Sequence, residues 1–134
     1  MSADAAREDI ARLVDAIESG YELMLGYAAQ GLSSDQGTGG STQLREFLKR
    51  FDEALSGLDG AFKALAAAVG RGSEPAIDEF LKVLARDAAA SQAAVRMVLG
   101  QKGISSQLVD NLNASIHVRA LLTDLFLIDE LLKS

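Results

Sequence analysis

The sequence contains no cysteine and no tryptophan, and it has only one histidine and one proline in 134 residues. The absence of cysteine excludes disulfides, thiolate metal sites, covalently attached c-type haem and cysteine nucleophiles. The single histidine, His117, excludes a site that needs two imidazoles. Aromatic residues make up only 5% of the chain, so the core has to be built from aliphatic side chains.

Long apolar runs and a concentrated basic face are also missing. No uncharged apolar segment reaches the roughly 20 residues that span a bilayer, and the first residues lack the basic-then-apolar layout of a signal peptide. The net charge is −6, and the most basic segment (Arg45, Lys49, Arg50) is interspersed with acidic residues, as is typical of a solvated helix face. We therefore predict a cytoplasmic protein that binds neither nucleic acid nor membranes.

Apolar residues recur at alternating steps of four and three in three long segments of the chain. The second segment shows the pattern most fully, at Leu44, Leu48, Phe51, Leu55, Leu58, Phe62, Leu65 and Val69. This spacing averages 3.5 residues and places the apolar side chains on one stripe of an α-helix. Each segment is therefore predicted to be an amphipathic helix that packs against its neighbours.

Four helices are predicted in all, over about 4–29, 42–69, 74–99 and 105–132. Because the second and third turns are short and the helices are similar in length, neighbouring helices are expected to run antiparallel. The segment 31–41 is rich in glycine and serine and is predicted to be a flexible loop. The chain, 1–134, is thus predicted to form one all-α domain, an up-down-up-down four-helix bundle.

The fourth helix differs from the others because it carries apolar residues on two sides. One ladder comprises Ala114, Val118, Leu121, Leu125, Ile128 and Leu132, and the second comprises Val109, Ile116, Ala120, Leu127 and Leu131. A peripheral helix of a monomeric bundle needs one apolar stripe, so the second stripe calls for a further partner. We predict a homodimer or higher oligomer, with a contact formed by Ile116, Ala120, Phe126, Leu127 and Leu131.

Three side chains are weak candidates for holding a small ligand or haem, namely Tyr21, Met24 and His117. A carboxylate-bridged di-iron bundle uses Glu-x-x-His pairs, but Ala114 stands three residues before His117. The connection 70–73 is also too short for a ferritin-type crossover. One alternative is therefore a degenerate ferritin-like bundle without a di-iron site, which binds a small ligand or haem.

A second alternative comes from a resemblance to histidine phosphotransfer domains. The sequence is similar to that family in its size, its acidity and its single histidine on a helix. In the family a basic residue follows the histidine and a glycine lies on the next turn. Here Val118 follows His117, Arg119 comes second, and the next turn has no glycine. The resemblance implies a signalling role for His117.

No motif in the sequence specifies a reaction. The glycines at 37, 39 and 40 lack the Gly-Lys-Ser/Thr ending of a phosphate-binding loop, and one histidine without a recognisable nucleophile turn gives no support for a hydrolase triad. The leading hypothesis is a non-enzymatic, oligomeric helical-bundle protein that acts as a scaffold, adaptor or assembly factor. It has no catalytic residue, metal or cofactor in this interpretation, and its protein partner is not specified.

Overall fold

The structure is a computed structural model that describes residues 1–37 and 41–133, with the side chains of residues 41 and 42 outside the description. The described part of the chain is all-helical and contains no strand. Its five helices are α1 (Ala3–Ala29), α2 (Ser41–Ala68), α3 (Pro75–Leu99), α4 (Ser106–Asn113) and α5 (Ile116–Leu131).

The first three helices begin and end within one residue of the predicted bounds. Ser2 caps α1, because its hydroxyl accepts a hydrogen bond from the Ala5 N–H at 3.1 Å. Pro75 opens α3, where a missing N–H costs nothing. For α2 the sequence predicts Ser41 or Thr42 as the cap, and both side chains lie outside the description.

The predicted fourth helix is divided into α4 and α5, so the prediction of four helices is wrong. The break falls at residues 114–115, where Ser115 caps α5 by accepting a hydrogen bond from the Val118 N–H at 3.4 Å. Ala114 ends α4, and its N–H binds the Asp110 carbonyl at 2.9 Å. The second apolar ladder does not stay on one side across this break: Val109 on α4 is buried, whereas Ile116 on α5 is exposed.

The helices pack around an aliphatic core with a few phenylalanines. α1 packs on α2 and α4, α2 also packs on α3, and α3 packs on α5. The largest fully buried side chains on α2 are Leu44, Leu48, Phe51, Leu58 and Phe62. They belong to the stripe that the 3.5-residue spacing predicts, and burying such a stripe is the main stabilising term for helices of this kind.

α1 and α2 lie close together at Gly20. A Cβ atom added at this position would lie 2.8 Å from Cδ2 and 3.3 Å from Cβ of the fully buried Phe51. The small residue is therefore needed for the packing of the two helices. Gly26, one and a half turns later on α1, has nothing within 4 Å of the same added atom.

Gly20→Ala should therefore be less stable than Gly26→Ala by about 1–3 kcal/mol, the usual cost of overpacking a core. Both substitutions gain the same helix propensity, about 1 kcal/mol, so the difference between the two variants isolates the clash with Phe51. Urea unfolding followed by circular dichroism measures it. Equal stabilities would contradict the close approach of α1 and α2.

At one end of the molecule, an ion pair with a fully buried carboxylate joins the loop after α1 to α2, to the end of α3 and to the loop that follows α3. Arg45 Nε donates to Oδ2 of Asp35 at 2.7 Å, and Asp35 is fully buried. The Nη groups of Arg45 donate to the carbonyls of Leu99, Gln101 and Lys102 at 2.9–3.1 Å. We call this set of contacts the Arg45 clasp. The sequence indicated that Arg45 lies on a solvated helix face. The contacts in the structure contradict that interpretation.

The same end is reinforced by hydrogen bonds from α1 and α4. Oδ1 of Asp35 accepts from the Ile104 N–H at 2.8 Å, and the Tyr27 hydroxyl donates to the Ile104 carbonyl at 2.5 Å. Leu32 and Ser106 exchange two hydrogen bonds. Burial, and next the charge of Asp35, raise the pKa of Tyr27. The described part of the predicted flexible loop, 31–37, is thus held by specific bonds, and residues 38–40 lie outside the description.

Candidate functional site

The exposed side of α5 carries an apolar stripe. Ile116, Leu127 and Leu131 are 75%, 57% and 46% exposed, and Ala120 between them is half-buried. At 3.6 residues per turn these four residues lie within about 60° of the helix circumference. We call them the α5 stripe. Its members are four of the five residues that the sequence suggested for a contact.

The fifth residue, Phe126, lies elsewhere. It is 72% exposed, but it is turned about 100° from Leu127 around the helix and lines the space between α1 and α5. The structure therefore divides the predicted contact between two surfaces, the α5 stripe and the wall of a cleft.

This cleft, the α1/α5 cleft, has a volume of about 370 Å³. It arises because α5 packs on α3, whereas α1 packs on α2 and α4. Its walls are mainly apolar and include Ile10, Val14, Leu65, Leu122, Leu125 and Phe126. Charged side chains line its ends and rim: Arg7, Asp129 and Lys133 towards the start of α1, and Glu18 at the other end.

The three weak candidates for ligand binding are not grouped around one site. His117 is exposed on the first turn of α5 and lines a shallow cleft with Ala94 and Met97 of α3. Met24 is fully buried in the core contributed by α1, and Tyr21 on the same helix is half-buried against that core. Since α5 packs mainly on α3 and a cleft separates it from α1, this arrangement does not support a haem held by His117 and Met24.

A pair of carboxyl groups lies between α3 and α5. Asp124 is 7% exposed, and its Oδ2 has no hydrogen-bond partner among the described residues. Burial raises the pKa of Asp124 to about 7, and a hydrogen bond and like charge from Asp87 contribute in the same direction. The protonated form of Asp124 therefore persists up to neutral pH, where it is about half populated, and in that form the carboxyl O–H can donate to the Asp87 carboxylate.

Sequence reasoning missed both the α1/α5 cleft and the carboxyl pair. The cleft depends on the break at Ser115, whose only local signal is a serine three residues before Val118, inside an otherwise continuous apolar ladder. Asp124 lies between the two apolar ladders of the helix, and it becomes buried because α5 packs on α3. Neither outcome follows from periodicity alone.

Comparison with known proteins gives no match to a family model, a curated protein or a solved structure. Within residues 1–37 and 41–133, no helix is long and apolar enough to cross a membrane. Over the same residues, no group of three or more histidine or acidic side chains is placed to hold a metal ion.

Proposed function

We propose that this protein is a non-enzymatic, self-associating helical protein that acts through protein–protein interaction in the cytoplasm, as a scaffold, adaptor or assembly factor. The up-down-up-down arrangement is part of this proposal, with α4 and α5 together in the place of the fourth helix. The observation that carries the proposal is the α5 stripe, a row of large apolar side chains that one copy leaves in water.

The proposed occupant of the α5 stripe is the same stripe of a second copy. Ile116, Ala120, Thr123 and Leu127 follow steps of four, three and four, the spacing of a helix-pairing seam. In an antiparallel pair about a two-fold axis near Thr123, Ile116 of one copy lies opposite Leu131 of the other, and Ala120 lies opposite Leu127. The stripe is thus self-complementary, as a two-fold contact requires.

Charge at the edge of the stripe supports the same pairing. Arg119 and Glu130 lie on the same edge of α5, eleven residues apart, a distance of about 16 Å along the helix. They are therefore too far apart to pair with each other within one copy, where Glu130 lies 3.8 Å from Lys133 in an exposed and weak ion pair. In the antiparallel arrangement Arg119 of each copy comes beside Glu130 of the other, which gives two equivalent ion pairs.

Leu127→Glu combined with Leu131→Glu should convert the assembly to the 14.1 kDa monomer, because like charges would be buried in the contact. Sedimentation velocity measures the mass, and circular dichroism checks that the helices persist. The matched control is Leu25→Glu with Met97→Glu, which places the same charges at exposed apolar positions outside the stripe and should leave the mass unchanged. A wild-type chain that sediments as a monomer at high concentration contradicts the proposal.

Exchanging the two edge charges tests the antiparallel register. Arg119→Glu alone should weaken self-association, because it would place two acidic side chains together. Adding Glu130→Arg should restore self-association, since each pair is then re-formed with reversed sign. The dimer dissociation constant from sedimentation equilibrium gives both results. A double variant as weak as the single one excludes this register.

A further inference from the structure

The α1/α5 cleft has the dimensions of a site for one extended chain. Along α1 it runs from Arg7 to Glu18, eleven residue steps or about 16 Å, and the opposite wall runs from Leu122 on α5 to Lys133, just past the end of that helix. Its volume of about 370 Å³ lies in the range of clefts that bind small molecules.

The cleft is also polarised along its length. Arg7 and Lys133 stand at one end, where Arg7 Nη2 donates to the Leu132 carbonyl at 3.0 Å. This contact uses one of the five N–H donors of the guanidinium and holds the group at the cleft. Two acidic residues lie near this end, Asp129 on the rim and Glu130, whose Oε2 is 3.8 Å from Lys133 Nζ in an exposed ion pair, and Glu18 lines the far end. Exposed pairs such as Lys133–Glu130 are weak and exchange partners easily, so an anion is favoured beside the Arg7 guanidinium with Lys133 in reach, and disfavoured at Glu18.

From these two properties we propose that the α1/α5 cleft binds a free, single-chain aliphatic carboxylate, of the fatty-acid type. The carboxylate accepts hydrogen bonds from Arg7 and pairs with Lys133. The alkyl chain lies along Val14, Leu122 and Phe126 towards Glu18 and covers apolar surface that the single chain leaves open. This function is independent of self-association, because the members of the α5 stripe do not line the cleft.

Isothermal titration calorimetry of the full chain with monomeric dodecanoate tests the proposal, with dodecanol as the uncharged analogue. We expect saturable binding of one dodecanoate per chain, and binding of dodecanol weaker by about tenfold or more, because the charge-assisted hydrogen bonds are lost. Equal binding of the two compounds, or no saturable binding of dodecanoate, overturns the proposal. Binding to anionic lipid vesicles without binding of dodecanoate monomers also overturns it.

Two pairs of variants locate the site. Lys133→Gln should weaken dodecanoate binding, whereas Lys63→Gln, at an exposed lysine on α2 outside the cleft, should not. Ala11→Trp places a large side chain in the cleft and should weaken binding by about tenfold or more, whereas Ala89→Trp on the exposed face of α3 should not. Circular dichroism verifies the fold of each variant. Equal effects within either pair exclude this cleft.

Self-association through the α5 stripe and ligand binding in the α1/α5 cleft can be tested independently of each other. The variant with Leu127→Glu and Leu131→Glu should bind dodecanoate with an unchanged dissociation constant, since both positions lie outside the cleft. Loss of binding in that variant would place the site at the contact between copies and overturn the assignment to the α1/α5 cleft.

Discussion

Arg45→Met should lower the free energy of unfolding by about 3–5 kcal/mol, the usual cost of removing one partner of a buried ion pair. Methionine keeps much of the apolar length of the arginine side chain. It removes the cation that faces Asp35 and the donors to the carbonyls of the loop after α3. The Asp35 carboxyl is fully buried, so water cannot easily replace the lost charge. Urea unfolding at neutral pH measures the change.

An exposed ion pair of the same kind provides the control. Lys82 and Asp78 lie one turn apart on α3 with side chains 69% and 53% exposed, and such pairs contribute about 0.2–1 kcal/mol. Lys82→Met should therefore cost far less than Arg45→Met. Equal costs for the two substitutions would mean that the Arg45 clasp does not hold this end of the molecule together.

A second substitution shows whether the stability cost of Arg45→Met comes from the lost charge or from lost packing contacts. Asp35→Asn keeps an oxygen that can accept from the Ile104 N–H but removes the negative charge. In that background Arg45→Met should cost clearly less than in the wild type, because no uncompensated carboxylate remains. Additive effects of the two substitutions would show that the pair has no charge coupling.

The periodicity of the sequence predicts the three long helices because burial of one stripe per helix determines their formation. The beginnings of three helices are also marked by local sequence signals, namely the N-caps Ser2 and Ser105 and the first-turn Pro75. The Arg45 clasp is not local. Asp35 and Arg45 belong to segments that resemble a solvent-exposed loop and a charged helix face, and the carbonyls that complete the clasp come from residues 99–102. Only the tertiary packing brings them together.

The sequence predicts only part of the exposed surface of α5, because the rest depends on tertiary packing. Counting apolar residues on the helix shows that a second stripe exists, and Ile116, Leu127 and Leu131 are indeed exposed. The position of Phe126 on the cleft could not be derived in this way, because it depends on which neighbour α5 packs against. Periodicity gives the angular position of a residue on a helix, but not the direction in which the next helix lies.

Asp124→Asn should stabilise the protein above about pH 7 and flatten the dependence of its stability on pH. The unfolded chain loses the Asp124 proton near pH 3.9, whereas the folded chain holds it until about pH 7. Between these values the folded state binds more protons than the unfolded state, so stability falls as the pH rises. At 1.36 kcal/mol per pKa unit, the loss is at most about 4 kcal/mol, and it is complete above pH 7.

Asparagine avoids that loss because its side chain is uncharged at every pH and its NH₂ group can donate to the Asp87 carboxylate as the protonated acid does. Urea unfolding at about pH 5 and pH 8.5 should thus give a smaller difference for Asp124→Asn than for the wild type. The control is Asp110→Asn, because the Asp110 side chain on α4 is exposed to solvent. That variant should retain the wild-type profile. If Asp124→Asn also retains it, the carboxyl pair between α3 and α5 does not share a proton, and the helices must meet there with Asp124 in contact with water.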